Sequence, residues 1–144
     1  MLLAAKLLLT LLALGFSVAP SLADFNKTHA TNPLWTGHAR FHVVWQVMSY
    51  NLIALVVLAL LWLPGAPDNA RFYFAWCIAA CVYTSFFIAL GSMSKYGGAN
   101  YDDNAYPPFK VKLLNSNRLL DLNTSVFTVQ ATLLALSLGL ALAS

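Results

Sequence analysis

Residues 43–63 read VVWQVMSYNLIALVVLALLWL, a run without a charged side chain that stops at Pro64-Gly65-Ala66-Pro67. At about 1.5 Å per residue, a helix of that length covers about 30 Å, the hydrocarbon thickness of a bilayer. Trp45, Tyr50 and Trp62 suit the two headgroup levels where aromatic rings collect. Lipid offers backbone amides no partner, so a segment that crosses it satisfies them internally, as a helix.

The same reading extends in both directions. Phe72 to Ser92 and Leu122 to Ala143 are equally uncharged, and Met1 to Ala23 carries Lys6 alone. That first run also ends in Ala-Pro-Ser-Leu-Ala, a small-residue pattern of the kind cleaved after a signal peptide, and Lys6 suits a positive n-region. Its length is great for a signal peptide, and a retained first helix is the reading carried forward. The expectation is an all-α membrane protein, a single domain over residues 1–144. Its four transmembrane helices, about 1–23, 43–63, 72–92 and 122–143, form an up-down-up-down bundle. The linker Pro64 to Arg71 is short, so the third helix lies antiparallel beside the second. In the fourth span Ala131, Ala135 and Gly139 recur every four residues, a spacing that permits close helix contact.

Composition points the same way. Charged residues are 9% of the chain, where a soluble domain carries about a quarter, and Glu is absent. The net charge of +3 comes from basic residues scattered through connections. They form no dense patch, and no nucleic-acid partner is expected. Cys77 and Cys81, four apart in an apolar run, share a helix face without pointing at each other, which argues against a disulfide.

Polar chemistry gathers just before the second span. Thr28 to His42, THATNPLWTGHARFH, holds all three histidines, His29, His38 and His42, together with Asn32, Pro33, Trp35 and Arg40. Pro33 holds Asn32 in an extended conformation, so the chain bends there, and Thr36 or Gly37 can cap a helix that runs from His38 to Leu63. Asn26-Lys27-Thr28 is formally a glycosylation sequon. The connection between the third and fourth spans lies on the same side, two helices away. It holds Gly97-Gly98, read as a turn, then Asp102-Asp103 and Pro107-Pro108. Its second half, Phe109 to Leu122, mixes Lys110, Lys112 and Arg118 with apolar residues. That pattern fits a segment lying along the membrane surface or a packed loop. The two connections on this side carry Lys27, Arg40, Lys95, Lys110, Lys112 and Arg118, against Arg71 and Lys6 opposite, so the positive-inside rule places the motif in the cytoplasm. A signal-like N-terminus would place it outside.

Three chemistries suit these residues. His38 and His42 are four apart, so on a helix both imidazoles project from one face at a spacing able to hold one metal ion. Further ligands would come from His29, Asp102 or Asp103, a set suited to a transition metal such as zinc, iron or manganese. Without Glu there is no His-Glu-x-x-His metallopeptidase pattern. Alternatively the cluster is structural. Arg40 would then pair with Asp102, Asp103 or Asp121, and His29 would bond carbonyls around the Pro33 bend. In the third case Arg40 and a histidine receive the anionic head of a lipid-like ligand, by bidentate hydrogen bonding and proton exchange. The residues assigned to such a ligand are Asn32, Trp35, His38, Arg40, His42 and Gln46.

Within the spans, His42, Gln46 and Ser49 follow one stripe, Cys77, Cys81 and Thr84 a second, and Thr124, Thr128 and Thr132 a third, with Gln130 off that line. These stripes frame a neutral cavity opening towards the motif, or glue helices together. No Asp, Glu, Lys or Arg lies at mid-membrane, which counts against a proton pump or an ion-coupled transporter. Nucleophilic catalysis and phosphate-cradling loops find no pattern here.

Asn32-Pro33, Trp35 and the run His38-Ala39-Arg40-Phe41-His42 resemble a group of small, uncharacterised four-helix integral membrane proteins. These show Thr-His, Asn-Pro, Trp and His-Ala-Arg-Phe-His just before their second helix. The resemblance covers about fifteen residues and implies the same four-helix plan with a retained first helix, but no activity. The functional expectation is a membrane module whose interfacial cluster organises a lipid-like or apolar ligand, or a contact with a larger membrane complex. The alternatives are a metal-dependent membrane enzyme using the histidines, and an accessory subunit of a respiratory or photosynthetic complex in which His42 ligates a porphyrin-like ring. The partners expected are membrane lipid and other membrane-protein subunits.

Overall fold

The computed structural model describes residues 1–65, 67–102, 107–113 and 116–144. Four α-helices follow in order: α1 (Leu2–Asp24), α2 (Gly37–Trp62), α3 (Asp68–Tyr96) and α4 (Leu122–Leu142). Each is long and apolar enough to cross a membrane. α1 packs against α2 and α4, α2 against α3, α3 against α4, and α1 also touches α3 across the bundle. This is the expected up-down-up-down arrangement.

Helix boundaries follow local chemistry more than hydropathy. α2 starts at Gly37, six residues before the apolar run, because the Thr36 hydroxyl accepts a hydrogen bond from the Ala39 N–H at 3.2 Å. α3 begins at Asp68 and runs one turn past Ser92 to Gly97, which adopts the left-handed conformation (φ 65°). Both Gly97 and Gly98 donate their N–H to the Met93 carbonyl, the stop that only glycine makes without strain. Arg71, on the first turn of α3, reaches back to the Leu63 and Ala59 carbonyls and closes the end of α2.

The core runs along the inner faces. α1 contributes Ala5, Leu9, Leu12, Ala13 and Phe16, α2 Ala54, Val57 and Leu61, α3 Phe72, Ala75, Ala79, Val82 and Tyr83, and α4 Leu134 and Ala141. Polar side chains stitch helices together at depth. Tyr83 donates its hydroxyl to the Leu12 carbonyl (2.9 Å), Trp76 its indole N–H to the Leu134 carbonyl (2.9 Å), and Asn51 its amide to Ser21 Oγ (2.8 Å). At the end away from the histidines, Lys6 lies 3.5 Å from Asp68 and over the Trp62 ring, whose N–H bonds Thr10.

Two expectations are corrected. The segment after Pro108, read as lying along the membrane surface or as a packed loop, forms a hairpin, β1 (Phe109–Leu113) paired antiparallel with β2 (Ser116–Leu120), with Phe109 opposite Leu120. Phe-Lys-Val-Lys-Leu alternates apolar and charged residues with period two, a strand signature. In α4 the buried face is Leu134, Ser137 and Ala141, while Ala135 and Gly139 are exposed and Ala131 half-buried. A helix apolar all round carries no stripe that tells its inner face from its outer one.

Candidate functional site

The motif residues come to one end of the bundle but divide into two groups. The first is a loop latch. Asn32 is buried and spends its whole side chain locally: Nδ2 donates to the Thr28 carbonyl (2.9 Å) and Oδ1 accepts from the Leu34 N–H (3.0 Å), an Asx turn around Pro33. Asn26 Nδ2 donates to the Ala23 carbonyl at the end of α1 (2.8 Å), which leaves its Oδ1 to accept the Thr28 hydroxyl proton (2.6 Å). The 2.7 Å contact between Thr28 Oγ1 and His29 Nδ1 is therefore made by an imidazole N–H, a tautomer assigned from the network. Asp24 Oδ1, 3.7 Å from the same nitrogen, favours the proton there. The His29 ring meets Trp35 edge to face at 5.2 Å, and the Trp35 N–H donates to Asp102 Oδ2 at 3.0 Å. The chain Asp24–His29–Trp35–Asp102 thus ties the first connection to the third.

The second group is the pair His38 and His42. Both are exposed on the first turns of α2, with Nε2 atoms 3.0 Å apart and rings edge to face at 4.5 Å. Arg40, expected to pair with Asp102, Asp103 or Asp121, makes no ion pair among the described residues. Asp102 takes the Trp35 indole, and Asp121 caps α4 through the Thr124 N–H (2.7 Å) while accepting from Asn100 (2.6 Å). Asp103 lies outside the described residues, as do the side chains of Lys110, Lys112 and Arg118.

Below the latch the four helices part around a cavity of about 1050 Å³. Its walls are Gly15, Phe16, Ala19, Pro20 and Ala23 of α1, Val43, Gln46 and Tyr50 of α2, Ser85, Phe86 and Ala89 of α3, and Val126, Phe127 and Gln130 of α4. Its rim is polar, made by Asp24, His29, Trp35, Asn100, Asp102 and Asn123. Aromatic rings form the inner wall: Phe86 stacks on Phe127 at 3.9 Å, and Phe16 meets Tyr50 edge to face at 6.2 Å. Gln46 donates to the Tyr50 hydroxyl (3.1 Å). Pro20 has no N–H, so the Phe16 carbonyl one turn below loses its helical donor on a cavity-lining face.

Of the expected ligand residues, Trp35 and Gln46 line the cavity. Asn32 builds the loop instead, and His38, Arg40 and His42 are not among the lining residues. Among the described residues no three His, Cys, Asp or Glu side chains gather around one point, so His29, His38, His42 and Asp102 are not brought together as a ligand set. The polar stripes also divide. Gln46 faces the cavity, whereas Cys77, Cys81, Thr84, Thr128 and Thr132 are exposed and off its walls. The Thr132 hydroxyl bonds the Thr128 carbonyl of its own helix (2.9 Å), so it needs no partner helix. Sequence reading passed over Tyr50, taken for a headgroup anchor, and Gln130, set aside as off the threonine line. An amide well inside a long apolar span was the available signal for Gln130.

Comparison of the chain with known protein families, characterised proteins and solved structures gives no match.

Proposed function

We propose that this is a multi-pass membrane protein whose central cavity holds one amphiphilic, lipid-like ligand, with the apolar chain among the aromatic walls and the polar head at the rim. The observation that carries the reading is the cavity itself. About 1050 Å³ of space reaches or passes the upper end of the usual ligand-pocket range, about 300–1,000 Å³. Its division into an aromatic interior and a hydrogen-bonding rim matches a molecule with one end of each kind. The rim offers Asn100 and Asn123 beside the Asp24–His29 pair. The groups placed to meet the head are therefore these, rather than Arg40.

Native mass spectrometry of the protein released from detergent tests the proposal. One amphiphile per chain is expected to survive detergent removal. It is expected to be lost in Ala19→Phe/Ala89→Phe, which fills the cavity from two walls with both residues outside the buried core. Retention of the same adduct by a folded double variant would place the ligand elsewhere.

A further inference from the structure

The pair His38 and His42 takes no part in the loop latch and does not line the cavity, so it calls for an account of its own. We infer that these two imidazoles form an open two-point site for a single divalent transition-metal ion, at the entrance of α2 and separate from the amphiphile cavity. The geometry carries it. Two nitrogens bound to one ion at about 2.0–2.1 Å stand about 2.8 Å apart in a cis square-planar arrangement and about 3.4 Å apart in a tetrahedral one. The Nε2 atoms of His38 and His42 stand 3.0 Å apart, between the two.

The helix supplies this convergence. Thr36 caps α2 and fixes the helical register before His38, and the four-residue spacing sets the two rings one above the other on a face that is exposed at both positions. Exposure leaves the remaining coordination positions to water, which a dry core pair would deny. In the metal-free pair one Nε2–H donates to the other Nε2. Binding moves that proton to Nδ1 of the same ring by exchange with water, so a neutral pair takes up the ion without net proton release. Nitrogen ligands rank copper(II) above zinc, nickel and cobalt, which makes copper(II) the probe of choice.

The test is a copper(II) titration of the full chain in detergent at neutral pH, followed by electron paramagnetic resonance. The expected result is one ion per chain with hyperfine coupling to two imidazole nitrogens. Affinity should fall at least tenfold in His38→Gln and in His42→Gln. His29→Gln and Ala19→Phe/Ala89→Phe should bind copper as the parent does, which keeps this result independent of the cavity. Two outcomes overturn the inference: copper uptake unchanged in the His38→Gln/His42→Gln double variant, or a parent spectrum showing fewer than two imidazole nitrogens. The second needs no variant to fold.

Discussion

Trp35 holds the two connections together with one atom. Its indole N–H donates to Asp102 Oδ2 at 3.0 Å while its ring packs against His29. Phenylalanine keeps the ring and removes the donor, so Trp35→Phe isolates the hydrogen bond. Bonds to charged groups contribute about 1.5–3 kcal/mol. Because Trp35 and Asp102 both form the cavity rim, the loss should appear locally. Amide exchange in residues 97–102 is expected to quicken, and retention of the amphiphile to weaken. Tyr83→Phe is the contrasting case. Its hydroxyl is buried against the Leu12 carbonyl in the bundle core, away from the rim. That variant should lower the thermal midpoint in detergent, through a loss of about 1 kcal/mol, and leave exchange in 97–102 as it was. If Trp35→Phe and Tyr83→Phe behaved alike in both measurements, the latch would have no local role.

At the scale of elements, α2 depends on its first turn. The Thr36 side chain caps it, and replacing such a cap with alanine costs about 1 kcal/mol. Thr36→Ala is therefore expected to fray residues 37–42, seen as faster amide exchange there with α3 and α4 unaffected. The same variant should weaken copper binding by His38 and His42, whose convergence needs the helix. What was legible beforehand follows from what lipid demands. Four uncharged runs must be helices, and Thr36 before His38 marks a start by a bond local to four residues. Gly97 stops α3 by the same kind of local rule, although in the sequence Gly97-Gly98 reads only as a turn and the span ends at Ser92. Which way each helix turns its faces is another matter. Leu, Ala and Thr are acceptable both in lipid and against a neighbour, so the sequence of α4 could not separate Ser137, which is buried, from Gly139, which is exposed. The motif was legible as a cluster but not as two. Asn32, Trp35 and His29 turn inward through bonds made on both sides of Pro33, to Asp24, Thr28, Leu34 and Asp102, while His38 and His42 obey the register of α2. The cavity between them depends on how far four helices separate, a tertiary property that no single run encodes.

For the whole molecule, the direction of insertion decides from which side the cavity is reached. The end of α1, the latch, the start of α2, the end of α3 and the start of α4 all share the cavity-bearing end, where Asp24, His29, Asn100 and Asn123 form the rim. Six basic residues belong to that end and two to the other, Lys6 and Arg71. Both of these are engaged, Lys6 with Asp68 and Arg71 with the end of α2. The bias of basic residues towards the cytoplasm predicts a cavity mouth that faces the cytoplasmic leaflet. Cysteine labelling in intact cells checks this in a Cys77→Ala/Cys81→Ala background, with single cysteines placed by Asn69→Cys and Ser94→Cys at exposed positions near opposite ends of α3. A membrane-impermeant maleimide should label the Asn69→Cys protein from outside, and the Ser94→Cys protein only after permeabilisation. The reverse pattern would mean that the signal-like first segment outweighs the charge bias. The amphiphile would then enter from the outer leaflet, and the metal site proposed at His38 and His42 would face the same side.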